Sequence, residues 1–193
     1  MLLTIAHDVS DYINWNVPHP PFYVQALLPQ GGSLLLYGAP GVRKSWLVQH
    51  MAYCISLGIP WLGFNTVQAR TTLVNFEISA PSYHGRLQLM ARNFHLQEQM
   101  LWEISPSLMY LEEPNTYAIL ADMVRPTAPN IIVLDCLSGC YGGDENSSRE
   151  MSQFIRHVVS LKEEHNASII IVHHSNKNLL ATSAMDRARG HTK

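Results

Sequence analysis

Apolar and polar positions along the chain fall into short unbroken runs alternating with longer stripes of helical period. The runs at 33–37, 71–77, 131–135 and 168–172 are rich in Leu, Ile, Val and Thr. Continuous runs of that length predict strands covered on both faces, as in a parallel sheet; a half-exposed strand would alternate. Between them the period changes. Leu47, Met51, Cys54 and Ile55 share one face of a helix expected to reach Leu57 and stop at Gly58, a residue suited to a left-handed turn. Tyr83, Leu87, Met90 and Phe94 mark a second helix, started by Ser79 and Pro81. A short helix is expected over 116–124, halted by Pro126. A longer one runs to about His165, with Met151, Phe154, Ile155, Val158 and Leu161 inward. One more short strand is expected near 108–111, after Pro106. Residues 1–27 read as an irregular segment, because Asn14, Trp15, Asn16 and Pro18-His19-Pro20-Pro21 break any helix. Strands alternating with helices imply an α/β fold whose ligand sits at the strands' C-terminal ends.

Composition narrows the class. The chain has 193 residues, 47% hydrophobic and 15% charged, with a formal net charge of −2. That suits one domain with a full core and excludes a disordered or strongly basic chain. It supplies no global electrostatic reason to bind nucleic acid, though it does not forbid it. Cys54, Cys136 and Cys140 form no Cys-x-x-Cys pair, and partner ligands at zinc-site spacing are missing, so a reduced, cytoplasmic protein without zinc is expected. The N-terminus lacks the basic flank and apolar length of a signal peptide, and no segment approaches membrane-spanning length.

The chemistry concentrates in Gly38-Ala39-Pro40-Gly41-Val42-Arg43-Lys44-Ser45, with Trp46 next, between the first strand and its helix. Strand, glycine-bearing turn, Lys-Ser and helix make a phosphate-binding P-loop. Backbone N–H groups and the positive helix end cradle phosphates, Lys44 reaches the terminal ones, and the Ser45 hydroxyl sits on magnesium. The bland alternative is a glycine turn with an incidental lysine. Arg43 stands where a glycine is expected. Glycine there permits close backbone approach and unusual φ; an arginine either points outward harmlessly or impairs nucleotide binding.

Three other strand ends carry candidate groups. Asp135 closes a buried apolar run, as a magnesium partner of the P-loop would, or merely starts a turn. Glu77 is placed to orient and deprotonate a water attacking the γ-phosphate, or is a solvated loop glutamate. His173 and His174 end the fourth strand, and neighbours on a strand face opposite ways, so at most one faces the phosphates. Asp144, Glu145 and Asn146 either help hold metal or water or simply form an exposed loop before a helix.

Together these pieces resemble the RecA-like ATPase family, most closely the branch of the plasmid replicative helicase RepA and related AAA-type ATPases. The resemblance covers roughly residues 28–190. It rests on Leu28-Pro29, the P-loop, Asn75-Phe76-Glu77-Ile78-Ser79 with Arg86 in the next helix, Ile132-Val133-Leu134-Asp135, Asp144-Glu145-Asn146-Ser147-Ser148 and Ile171-Val172-His173-His174-Ser175-Asn176-Lys177. It implies a three-layer P-loop core over 28–193 and magnesium-dependent ATP hydrolysis. Lys44 and Ser45 would serve phosphate and metal, Asp135 the metal, Glu77 as base and His174 as γ-phosphate sensor. It further implies ring assembly, often hexameric, and action on single-stranded DNA, with Lys177, Arg187 and Arg189 in DNA-facing or subunit-facing segments. The family's fold would continue beyond Arg189-Gly190-His191-Thr192, so the domain is expected to be incomplete at that end. Two functions follow as expectations: a helicase-like ATPase motor, or a degenerate P-loop module that binds nucleotide or a partner without turnover. A kinase fits less well, for lack of an acceptor-binding lid.

Overall fold

A computed structural model describes residues 8–14, 20–92, 98–106, 109–143 and 148–174, omitting the side chains of 12 and 148–150. Its centre is a five-stranded, all-parallel sheet of β3 (Ser33–Gly38), β4 (Thr71–Asn75), β5 (Leu101–Ile104), β6 (Ile131–Asp135) and β7 (Ser168–His174), in the order β3-β7-β6-β4-β5. A short antiparallel pair, β1 (Phe22–Val24) and β2 (Leu28–Pro29), precedes it. β1 and the five-residue helix α1 (Val9–Ile13) fall inside the stretch expected to be irregular.

Burial follows position in the sheet. Of the three interior strands, β4 and β6 are buried at every residue and β7 at all but Ile171, His173 and His174, while the edge strand β3, expected to be covered on both faces, alternates between exposed and partly buried. The helices are α2 (Lys44–Leu57), α3 (Ala80–Ala91), α4 (Pro114–Val124), α5 (Leu137–Cys140) and α6 (Ser148–Glu164). Strand parity assigns them to layers. Leu73, Ile131, Val133, Ile170 and Val172 pack with Val48, Met51, Ala52 and Ile55 of α2 and Tyr83 of α3. Val74, Ile132, Leu134 and Ile169 pack instead with Leu120 and Val124 of α4 and Phe154, Val158 and Leu161 of α6. The expected helix–sheet–helix sandwich is therefore present.

Local signals explain the boundaries. Helix α2 ends at Gly58, which is left-handed at φ 69° and donates its N–H to Cys54 and Ile55 carbonyls. Pro126 diverts the chain after α4 into a short 3-10 turn, Arg125–Thr127.

Several expectations need correction. No strand forms at 109–111, and 107–108 lie outside the described residues; the edge strand is β5 instead. Its sequence, Leu-Trp-Glu-Ile, is short and mixed, which hid it. The second strand stops at Asn75, so Glu77 sits in the turn beyond it. Ile155 is 46% exposed and faces away from the core. The loop expected from Gly139 begins within α5. Phe94, Asp144 to Asn146, Lys177, Arg187 and Arg189 lie outside the described residues.

Candidate nucleotide site

Sheet register gathers the functional groups. Gly38 pairs with His174, Asp135 with Val172, and Asn75 with Asp135, so four strands end at the same edge of the sheet, β3 and β7 two residues beyond β6 and β4. Parity then selects the histidine. Ile170, Val172 and His174 share the face covered by α2, whereas His173 points the other way and packs its ring 5.3 Å from that of Tyr37.

Glu77 is aimed by Asn75, whose Oδ1 accepts the N–H of Ile78 at 2.9 Å and of Glu77 at 3.3 Å. Asn75 Nδ2 donates to Ile78 O and to Ser105 Oγ. This side-chain-made turn bends the chain off the sheet and sends Glu77 back toward the P-loop. Gly139 closes the turn from behind. A Cβ there would lie 2.8 Å from Phe76 Cβ and 2.9 Å from Phe76 O, so only glycine fits without a shift.

At the P-loop, Arg43 takes the backbone conformation expected of the missing glycine, left-handed at φ 65° and ψ 31°. Its side chain is exposed at the pocket rim. Lys44 is buried, donating to the carbonyls of Gly38 at 2.8 Å and Ala39 at 2.9 Å, with its Nζ 3.1 Å from His174 Nδ1. An ammonium has only donors, so Nδ1 accepts and His174 Nε2 carries the ring proton. Nε2 lies 3.3 Å from Glu77 Oε2, making His174 a bridge between the P-loop lysine and the carboxylate.

Ser45 Oγ donates to Asp135 Oδ1 at 3.0 Å. Asp135 Oδ2 is buried and has no hydrogen-bond partner among the described residues. Burial pushes the Asp135 carboxyl up to about 6; the charge of Glu77 adds to this, while the Ser45 hydroxyl, Arg86 and His174 oppose it. A hydroxyl beside a carboxylate with one unsatisfied oxygen fits a hydrated magnesium ion, which takes oxygen ligands and keeps several waters.

The resulting pocket, about 250 Å³, is lined by Gly41, Arg43, Lys44, Ser45, Trp46, Glu77, Ile78, Arg86 and His174. Gly38 and Ala39 contribute the carbonyls that hold Lys44, while Pro40 and Val42 lie on the exposed outer turn. Trp46 turns toward α3, where the Arg86 guanidinium carbon lies 4.9 Å from its ring centroid. Arg86 Nη1 is buried without a hydrogen-bond partner among the described residues. Its direct part in the pocket was visible in sequence only as a basic residue in the following helix.

A family model for the AAA domain matches residues 3–179. The chain belongs to the AAA domain family. With its five parallel strands flanked by helices, this AAA domain is a nucleotide-binding P-loop ATPase module. A search of curated proteins finds no match to it. Among the described residues, no helix of the domain is long and apolar enough to cross a membrane.

Sequence reasoning missed Cys136. Its buried Sγ donates to Glu77 Oε2 at 3.2 Å, although the two residues are 59 apart in the chain. Burial is also the main reason its thiol is pushed up to about 11. Ligand spacing along the sequence carries no trace of this contact, because sheet register creates it.

Proposed function

We propose that this AAA domain, spanning residues 28–193, is a magnesium-dependent, ATP-hydrolysing RecA-like motor domain that acts on DNA, of the replicative-helicase type. The observation that carries the reading is the convergence of Lys44, Ser45, Glu77, Arg86 and His174 on one pocket, with Asp135 directly behind Ser45. Lys44 leaves the Gly38 and Ala39 carbonyls to meet the terminal phosphates. Ser45 and Asp135 would hold magnesium, whose bound charge offsets that of the phosphates. Glu77 orients the attacking water and accepts its proton. His174, touching both Lys44 and Glu77, senses the γ-phosphate.

The pocket is smaller than the roughly 300 Å³ at the low end for whole small-molecule sites, and it suits the polyphosphate better than the nucleoside. That supports a ring, hexameric on the RepA-type resemblance, in which a neighbouring copy helps enclose the nucleotide. Single-stranded DNA as partner rests on the RepA-type resemblance. A cytoplasmic setting is supported by three cysteines that are all unpaired.

One observation favours a second reading, a degenerate module without turnover: Arg43 occupies a left-handed position better suited to glycine. ATP turnover with and without single-stranded DNA, on this chain and on Arg43→Gly, separates the two. Turnover stimulated by DNA is expected. Absence of both turnover and nucleotide binding in both proteins would overturn the ATPase reading, and turnover in the glycine variant alone would establish the degenerate module.

A further inference from the structure

The phosphate-binding reading does not use the Cys136 thiol, yet that thiol lies among two other metal-ligating groups. The ligand atoms of Glu77, Cys136 and His174 all lie within 4.8 Å of one another. Cys136 Sγ and His174 Nε2 approach the same Glu77 oxygen, at 3.2 and 3.3 Å. Ligands on a tetrahedral zinc ion, with bonds of about 2.0 to 2.3 Å, stand roughly 3.3 to 3.6 Å apart. The two separations therefore need to open by only a few tenths of an ångström, or not at all.

We propose that Glu77, Cys136 and His174 form a binding site for a zinc-class divalent cation, with its fourth position open toward the phosphate pocket. The donor set separates this site from the magnesium pair. Thiolate and imidazole suit zinc, whereas magnesium takes oxygen ligands such as Ser45 and Asp135. The three ligands come from the turn after β4, the residue after β6 and the last residue of β7, strand ends that the sheet already holds in register. Rigid placement of this kind is what a metal site requires.

Binding changes the proton inventory in a defined way. The thiol loses its proton to solvent as it becomes the ligand. The His174 ring proton moves from Nε2 to Nδ1, where it then faces the Lys44 ammonium, donor against donor. Lys44 keeps the Gly38 and Ala39 carbonyls and gives up the ring. On the proposed ATPase reading, the ion also takes the carboxylate that positions water, so the zinc-loaded domain is held inactive. This consequence rests on that reading; the metal site itself does not.

Cobalt titration of the metal-free full chain, without nucleotide or magnesium, tests the site. The expected result is a thiolate-to-cobalt absorption in the near ultraviolet with the visible bands of a four-coordinate ion, both removed by added zinc. Cys136→Ser should abolish the sulfur band and Cys54→Ala should keep it. Glu77→Gln, a change at a half-exposed side chain, should weaken cobalt binding at least tenfold without disturbing the fold. No sulfur band in the parent chain, or a band that survives Cys136→Ser, overturns the proposal. Zinc should lower ATP turnover of the parent at least tenfold more than that of Cys136→Ser, and equal inhibition overturns the inactivation. A parent chain with no turnover refutes the ATPase reading and its zinc inactivation, while the cobalt band still decides the site.

Discussion

The Ser45 hydroxyl donates to one oxygen of Asp135 at 3.0 Å and leaves the other oxygen buried without a partner among the described residues. The carboxyl is raised from its ordinary 3.8 to about 6, chiefly by burial. A folded-state value above the unfolded one means that the folded chain binds the proton more tightly. Without magnesium, the contribution of Asp135 to stability is therefore greatest below about pH 4 and is lost as pH rises toward 6. Asp135→Asn should unfold a few degrees higher than the parent at pH 8 in metal-free buffer, and magnesium should no longer promote nucleotide binding. Thermal unfolding from pH 5 to 8, with and without magnesium, checks both. A lower melting temperature for the variant at pH 8 would show that burial is not the dominant influence.

Arg43→Gly should stabilise the domain modestly. A left-handed non-glycine residue costs roughly 1–2 kcal/mol, and glycine's extra chain entropy offsets about half of that. The net gain of about 0.5–1 kcal/mol should appear as a rise of one to four degrees in Tm. Calorimetry of the two proteins decides, and a destabilised variant would mean that the Arg43 side chain makes compensating contacts.

Lys44→Ala should weaken nucleotide binding at least tenfold while leaving the fold intact. Removing the ammonium also frees the Gly38 and Ala39 carbonyls and His174 Nδ1 for water. Titration with a fluorescent ATP analogue, alongside circular dichroism, provides the measurement. Unchanged affinity would remove Lys44 from its phosphate role.

Glu77→Gln is expected to separate binding from turnover. The amide keeps the shape but cannot accept a proton, so hydrolysis should fall about 10²- to 10⁴-fold with nucleotide affinity nearly unchanged. Single-turnover assays at saturating ATP are the relevant test, and a loss below tenfold would assign the base elsewhere.

Gly139→Ala tests the support behind that carboxylate. Its new methyl would meet the Phe76 side chain and carbonyl oxygen below 3.0 Å, forcing backbone movement. A loss of about 1–3 kcal/mol is expected, with reduced turnover because Phe76 directly precedes Glu77. Full stability in the variant would show that the turn yields freely.

Much of the fold and of the site is legible in the sequence. Ile131 to Asp135 and the run into His174 announce buried parallel strands because helices cover both faces and leave no polar alternation. Asp135 and Lys44 could be placed because each sits at the junction of a strand or helix with its loop. Strand parity would also have selected His174 over His173, once α2 was known to cover the face shared by Ile170 and Val172. What escaped was set by tertiary register and side-chain bonding. Asn75 ends β4 early through its own amide, a choice that β propensity does not encode. Cys136 meets Glu77 and His174 only because three strands finish side by side. The mixed β5 is a strand because β4 offers it an edge.

The order β3-β7-β6-β4-β5 also fixes when the domain can begin to function during synthesis. The P-loop strand is hydrogen-bonded within the sheet to β7 alone among the described strands, and Lys44 and His174 are 130 residues apart. At ribosomal speeds of about 5–20 residues per second, the P-loop strand waits on the order of ten seconds for its partner to be made. Until then its apolar edge has nothing to pair with, and nucleotide cannot rescue it, since the pocket still lacks one wall. During that interval a newborn chain carries the kind of unpaired strand edge that chaperones shield, whatever the stability of the finished sheet.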